Sequence, residues 1–161
     1  MDTESLIPFL ETLMDRSGAV ISPYFYNQDF SVHEKDDESP VTRADREAET
    51  CIRSLIQKEF PHHGIMGEEF GHENEGAEFT WIIDPIDGTK AFITGVPLFT
   101  TLIGLLHHGE PILGAIHQPL LKLKCIGDNT TCLFNGKPTR CRSTSRSVSY
   151  THLTLPTILL V

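Results

Sequence analysis

Residues 81–89 of the chain read WIIDPIDGT. Three apolar residues, typical of a short buried strand, lead directly into two acidic residues, Asp84 and Asp87, that flank a proline turn. Such a turn can point both carboxylates, and the carbonyl of Ile86 between them, toward one volume of space. The stretch therefore predicts a strand that delivers acidic side chains to the edge of a sheet.

Two further acidic segments lie upstream of this stretch. The apolar residues 65–66 run into Glu68 and Glu69, which predicts a second short strand with carboxylates at its end. Thr42 is a candidate N-cap for a helix, with Asp45 three residues later and apolar residues at helical spacing beyond it. Asp45 is therefore expected to be the capping partner of Thr42, a catalytic group, or both.

The rest of the pattern mixes helices and strands. Apolar residues at three- and four-residue steps over 6–24 predict an opening helix, and the polar stretch 27–40 predicts a loop or short hairpin. Strand candidates at 98–106 and 112–116 are joined by a turn at 107–110. With 161 residues, 39% of them hydrophobic, the chain is expected to form one domain, a layered α/β or α+β sandwich.

Composition excludes several functional classes. Thirteen Lys and Arg against 22 Asp and Glu give a formal charge of -9, which disfavours nucleic acid and anionic membranes as partners. The acidic start and the lack of a long apolar run predict a cytoplasmic protein. The four cysteines form no CxxC pair, so reduced thiols are expected.

Histidines and aromatic residues are the alternative candidates for site residues. Eight histidines raise the possibility of zinc, but adjacent residues such as His107 and His108 tend to point apart on a strand or turn. A histidine-based metal site is therefore not expected. Phe92, Leu98 and Phe99 are expected in the core and not in a substrate-binding wall.

Converging carboxylates favour hard divalent ions. Mg²⁺ prefers oxygen ligands and retains several waters, so carboxylates from separate strands suit it. Gly88 and Thr89 follow at once, and a short helix over 89–94 would turn its first N–H groups toward an anion. The combination predicts a site where metal ions and a phosphate group meet.

The three motifs VTRAD (41–45), GEE (67–69) and WIIDPIDGT (81–89) together resemble the signature set of the inositol monophosphatase family. The resemblance covers residues 5–142 and implies an α+β layered sandwich of the αβαβα type found in inositol monophosphatases and fructose-bisphosphatases. Residues 1–142 are accordingly interpreted as the N-terminal metal-binding and catalytic portion of a phosphatase.

The resemblance also implies specific roles for single residues. Two or more Mg²⁺ ions are expected, with four oxygen ligands: Glu68, Asp84, the Ile86 carbonyl and Asp87. The backbone N–H groups of Gly88 and Thr89 would bind the substrate phosphate. Asp45 and Thr89 would activate the attacking water with help from Glu68, while Glu69 would support the ligands without binding metal.

Within the family, the stretches at 35–49, 63–71, 84–106 and 109–119 are most similar to the histidinol-phosphatase branch. The resemblance implies a small phosphorylated metabolite as partner, with histidinol-phosphate, an intermediate of histidine biosynthesis, as the expected substrate. Nucleotide bisphosphate phosphatases share SPVT and DGTK. Inositol monophosphatase and 3'(2'),5'-bisphosphate nucleotidase activities therefore stay open as alternatives.

The end of the chain departs from the family pattern. Relatives are longer and carry a WD-containing motif whose aspartate binds the second metal, and that motif is not found here. Residues 143–161 are interpreted as an artefactual, non-family tail, so the chain is expected to be incomplete and weakly active or inactive. An inactive fragment that only binds metal or a partner chain is the alternative from another class, and a homodimer is left open for the complete enzyme.

Overall fold

The computed structural model describes residues 3–27, 32–34 and 40–140, and the predicted tail 143–161 lies outside them. Helices and strands alternate irregularly along this part of the chain. The elements are α1 (Thr3–Asn27), β1 (Val32–Glu34), β2 (Pro40–Thr42), α2 (Arg43–Glu59), β3 (Gly64–Gly67), β4 (Gly71–Glu73), β5 (Phe79–Asp87), α3 (Thr89–Ile93), β6 (Thr100–His107), β7 (Glu110–Gln118), β8 (Leu123–Asp128), β9 (Cys132–Phe134) and β10 (Lys137–Pro138).

Helices α1 and α2 form where the apolar periodicity predicts them. Leu6, Leu10 and Leu13 recur along one side of α1 and are buried. Thr42 is the N-cap of α2, and the Asp45 carboxylate accepts its backbone N–H at 2.8 Å and its hydroxyl at 2.5 Å. The predicted capping role of Asp45 is therefore confirmed.

A mixed sheet of eight strands, in the order β10-β9-β8-β7-β6-β5-β3-β4, forms the body of the described chain. Strand β3 runs parallel to β5, and the other neighbours in this sheet are antiparallel. Strands β1 and β2 pair separately, as a short antiparallel ladder within the stretch predicted to be a loop or hairpin. The α+β layered prediction is confirmed. The dipeptide Asn135-Gly136, which is typical of a hairpin turn, joins β9 to β10, whereas the sequence patterns do not predict β4 and β8.

The main core lies between the two long helices and one face of the sheet. Trp81 and Ile83 of β5 point toward the helices and pack in the same cluster as Leu10 of α1 and Ile52 of α2. The other face of the sheet carries no helix of the described chain. The two faces therefore differ, and the carboxylates of β5 lie at the boundary of the helix-free face.

A second, smaller core surrounds the end of β5. Phe92 of α3 and Phe99 pack there with Ile86 and with Ala44 of α2, as the aromatic pattern predicts. The same prediction is wrong for Leu98, whose side chain is 77% exposed. Leu98 directly precedes Phe99, and neighbouring residues in an extended segment point to opposite sides, so only one of the two enters this core.

The state of the cysteines and the hydrophobicity of the helices can be compared with what the composition predicts. Cys51, Cys125 and Cys132 are free thiols, while Cys141 lies outside the described residues. Among the helices described, none combines the length and the hydrophobicity that crossing a bilayer requires.

Candidate active site

Four acidic side chains predicted from separate motifs converge in the structure. Glu68, Asp87 and Asp45 are all close enough to Asp84 to act on it electrostatically. The parallel pairing of β3 with β5 explains the approach of Glu68, because Gly67 lies opposite Ile83 and the Glu68 N–H donates to the Ile83 carbonyl at 3.2 Å. Three elements, α2, β3 and β5, thus bring the four carboxylates to one place.

The segment predicted to be a proline turn is an irregularity inside a continuous strand. Asp84 pairs with Leu102 and Asp87 pairs with Thr100, so β5 has one more residue than β6 between these pairs. In a regular strand, residues three apart point to opposite faces, and the extra residue of this bulge returns Asp87 to the side of Asp84. Thr101 stabilises the bulge by donating its buried hydroxyl to the Pro85 carbonyl at 2.8 Å.

The convergence changes the acidity of the buried carboxylates. Burial raises the pKa of Asp84 to about 8, helped by a hydrogen bond with Glu68 and by the negative charges of Glu68, Asp87 and Asp45. Burial also raises the pKa of Asp45, against the opposing effect of its hydrogen bonds from Thr42, and the charge of Glu68 adds to the rise.

A divalent cation fits this donor set. The buried Oδ1 atom of Asp84 has no hydrogen-bond partner in the described structure, although a buried polar oxygen normally has one. Carboxylate oxygens are the ligands Mg²⁺ prefers. No three of these carboxylates bring oxygen atoms within 4.8 Å of one another in the described chain. Ligands distributed over two ions about 3.5–4 Å apart do not need so tight a cluster.

The predicted phosphate-binding turn adjoins this group. Gly88 has φ 92° and caps α3, and a Cβ atom there would lie 2.9 Å from the Leu98 carbonyl, so both conformation and space require glycine. Thr89 donates its hydroxyl to the Ile86 carbonyl at 3.0 Å. Within the described part of the chain Thr89 and Asp45 are not hydrogen-bonded to each other, and their predicted pairing stays a prediction.

Glu49 is a site residue that the sequence reasoning missed. Its fully buried carboxylate accepts the N–H of Glu69 at 2.7 Å and of Phe70 at 3.2 Å, and it pairs with Arg53 at 2.8 Å. A Cβ atom on Gly67 would lie 1.9 Å from a Glu49 oxygen. Glu49 thus holds the segment that carries Glu68, and only glycine fits at position 67.

The spacing of charged residues was the available signal for this contact. Asp45, Glu49 and Arg53 follow one another at four-residue steps and are all buried, so they share one face of α2. Charged residues are seldom buried without partners. Their repetition beside the apolar stripe is a pattern from which a buried polar network could have been predicted. Arg53 extends that network by donating to the Gly71 carbonyl and to Glu73.

A different group of metal-type ligands lies at the opposite end of β5. Glu78, His107 and His108 have potential ligand atoms within 4.8 Å of one another. The expectation that adjacent histidines point apart is wrong for this pair, since their ring centroids are 4.4 Å apart. The reason is the backbone: His107 ends β6, and His108 enters the turn with φ 50°, which breaks the alternation of an extended strand.

Comparison with known proteins adds to this geometry. The model of the inositol monophosphatase family matches residues 2–157. The chain is 48% identical over 148 residues to the chloroplastic bifunctional phosphatase IMPL2 of Arabidopsis thaliana, covering 89% of this chain and 42% of that protein. It is 42% identical over 127 residues to a histidinol-phosphatase of Chlorobaculum parvum, covering 78% of this chain and 49% of that one.

A solved structure shares the architecture. The IMPase of Thermotoga maritima superposes with a TM-score of 0.78 at 32% identity, over 89% of this chain and 55% of that one. The chain thus spans about half the length of the relatives it matches. Fold, motifs and the extent of the family match agree, and the chain belongs to the inositol monophosphatase family.

Proposed function

We propose that this chain is part of a magnesium-dependent phosphatase that hydrolyses phosphate monoesters. The observation that carries the proposal is the convergence of Asp45, Glu68, Asp84 and Asp87 beside the Gly88 turn. Burial and neighbouring negative charges raise the pKa of Asp84 and of Asp45, so a bound cation would stabilise the ionised form of both. A glycine turn that begins a helix offers backbone N–H groups to an anion.

The site residues have different proposed roles in metal binding and proton transfer. Glu68, Asp84, Asp87 and the Ile86 carbonyl would hold the ions, and Mg²⁺, when bound, would supply positive charge that offsets the phosphate. Asp45 is suited to accept a proton, because its raised pKa makes it a stronger base than an exposed aspartate.

The Thr89 side chain belongs to the first residue of α3, next to the Gly88 turn that we propose binds the phosphate. The N–H groups of Gly88 and Thr89 bind the phosphate oxygens. A pairing of Thr89 with Asp45 requires the Thr89 hydroxyl to turn away from the Ile86 carbonyl, to which it now donates. Glu69 supports the site through its backbone contact with Glu49.

The substrate we propose is histidinol-phosphate, handled by a cytoplasmic enzyme without a nucleic acid or membrane partner. The similarity to proteins named histidinol-phosphatase supports this choice over the inositol monophosphatase and bisphosphate nucleotidase alternatives. A relative named fructose-1,6-bisphosphatase/inositol-1-monophosphatase keeps the first alternative open. The other class of function, a fragment that binds metal or a partner chain without turnover, is separated from these by the second experiment below.

The first experiment measures Mg²⁺ binding by calorimetry. We expect the double variant Asp84→Asn, Asp87→Asn to lose most of the affinity, because it removes two of the proposed carboxylate ligands. The control is the double variant Glu59→Gln, Glu110→Gln, which removes the same charge from exposed positions and should bind as the parent does. Equal Mg²⁺ affinity in the Asp84, Asp87 variant and the parent would refute the metal assignment.

The second experiment measures phosphate release from histidinol-phosphate, inositol-1-phosphate and an adenosine bisphosphate. Both the 161-residue chain and any longer chain that its gene encodes should be assayed. We expect histidinol-phosphate to be hydrolysed fastest. A preference for either competitor would change the substrate, and Mg²⁺ binding without any turnover in either chain would favour the non-catalytic alternative.

A further inference from the structure

We propose that Glu78, His107 and His108 form a second metal site, selective for a borderline-soft divalent ion of the Zn²⁺ class. Glu78 directly precedes β5, His107 is the last residue of β6 and His108 follows it. The start of β5 and the end of β6 are adjacent because Phe79 pairs with His107. Glu78 precedes Asp84 by six residues, about 20 Å along an extended strand. The proposed site is therefore separate from the carboxylate group and goes beyond the proposed phosphatase function.

The ligand geometry is close to what zinc requires. His107 Nε2 lies 3.0 Å from Glu78 Oε1, and the ligand atoms of all three residues lie within 4.8 Å of one another. Tetrahedral zinc ligands at 2.0–2.1 Å from the ion are about 3.3 Å apart. The His107–Glu78 spacing lies just below this value and the other spacings do not exceed 4.8 Å, so small side-chain rotations would suffice to bind one ion and leave a fourth position for water.

The backbone and the neighbouring rings hold the ligands in place. The His108 N–H donates to the Glu78 carbonyl at 2.8 Å, which ties the turn to the residue before β5. The His107 ring stacks on Phe79 with centroids 4.6 Å apart, and Phe79 stacks on His63. The Trp81 indole N–H in turn donates to His63 at 3.1 Å. Such support fixes ligand orientation and favours metal binding.

The donor types set the selectivity. Imidazole nitrogens suit Zn²⁺, Cu²⁺ and Ni²⁺, whereas Mg²⁺ takes oxygen ligands in an octahedral array. Two imidazoles and one carboxylate match three-ligand zinc sites that keep an open position. The simpler interpretation is a surface ion pair between His107 and Glu78, which predicts no metal binding and is an outcome of the test.

The test is Zn²⁺ calorimetry on the 161-residue chain in excess Mg²⁺, which occupies the oxygen-only ligands. We expect one equivalent of Zn²⁺ to bind, and His108→Ala and Glu78→Gln each to weaken binding by at least about tenfold, the loss caused even by removing supporting groups. The matched control is His72→Ala, which removes an exposed imidazole 4.0 Å from Glu75 and should leave the affinity unchanged.

Co²⁺ absorption identifies the ligands independently. Cys125 and Cys132 have Sγ atoms 3.5 Å apart and are the competing zinc ligands. Thiolate charge-transfer bands, or a loss of binding in Cys125→Ser alone, would overturn the proposal. Zinc affinity unaffected by His108→Ala, or an absence of Zn²⁺ binding, would overturn it as well. Neither test variant removes a core side chain, and circular dichroism should show the parental fold in each.

Discussion

At the scale of single residues, burial sets the protonation of groups that the proposed chemistry does not use. His117 of β7 is 4% exposed, and its pKa is lowered to about 4, first by burial and then by the positive charge of Lys124 on β8. Asp15 on α1 acts in the opposite direction and pairs with Lys124 at 2.6 Å. The folded chain therefore holds this imidazole in its neutral form.

This burial predicts a stability that depends on pH. The pKa of His117 in the folded chain lies below its value of 6.5 in the unfolded chain. The stability that depends on a neutral His117 is therefore fully present above pH 6.5 and is lost as the pH falls toward 4. When the pH is lowered from about 7.5 to 4.5, the unfolding free energy of the parent should fall by about 2–3 kcal/mol more than that of His117→Asn. Chemical denaturation measures the difference, with the exposed His62→Asn as control. Parallel pH profiles for parent and His117→Asn would contradict the prediction.

At the scale of elements, helix α2 aligns the site. Its first turn carries Asp45, the next turn Glu49 and the third Arg53, on one buried face. Glu49 holds the backbone after Glu68, so a single rigid helix determines how far Asp45 lies from Glu68. The capping interaction with Thr42 fixes the start of the same helix.

We expect Glu49→Gln to weaken Mg²⁺ binding by about tenfold, as loss of groups that support metal ligands does. An amide offers one acceptor oxygen where the carboxylate offers two, and it leaves Arg53 without its buried partner, which costs about 3–5 kcal/mol of stability. Calorimetry below the melting transition separates the two effects. Glu47→Gln is the control, because Glu47 pairs with Arg43 at the exposed surface of the same helix. Parental Mg²⁺ affinity in folded Glu49→Gln would disprove the positioning role.

At the scale of the whole molecule, the sheet is covered unequally. Leu98, Ile116, Leu121 and Phe134 line a groove of about 520 Å³ on the side away from the long helices, and each is at least 45% exposed. Asp87 and Gly88 border the same groove. Contiguous exposed apolar surface of this kind favours association between chains.

We therefore expect the 161-residue chain to self-associate with increasing concentration. The double variant Leu98→Gln, Leu121→Gln should shift sedimentation velocity profiles toward the monomer, because it places polar groups in the groove. Phe70→Gln changes a half-exposed aromatic residue that does not line the groove and should have no effect. A parent chain that stays monomeric at every concentration would contradict this expectation.

Local patterns in the sequence determined the elements and the identity of the acidic residues. The helical spacing of apolar residues, the Thr42 cap, and the Asn135-Gly136 turn between β9 and β10 act over a few residues. Asp84, Asp87 and Glu68 were identified as residues at strand ends for the same reason. Backbone geometry over such short ranges depends on neighbours in the chain, which are visible in the sequence.

Only the tertiary structure decided which distant groups meet. The bulge that brings Asp87 beside Asp84 depends on the register between β5 and β6, and the contact of Glu49 with the Glu69 N–H depends on how α2 packs against β3. The exposure of Leu98 and the approach of His108 to Glu78 likewise depend on how neighbouring segments are aligned and packed against each other. Register and packing are cooperative properties of segments far apart in sequence, so no local pattern specifies them.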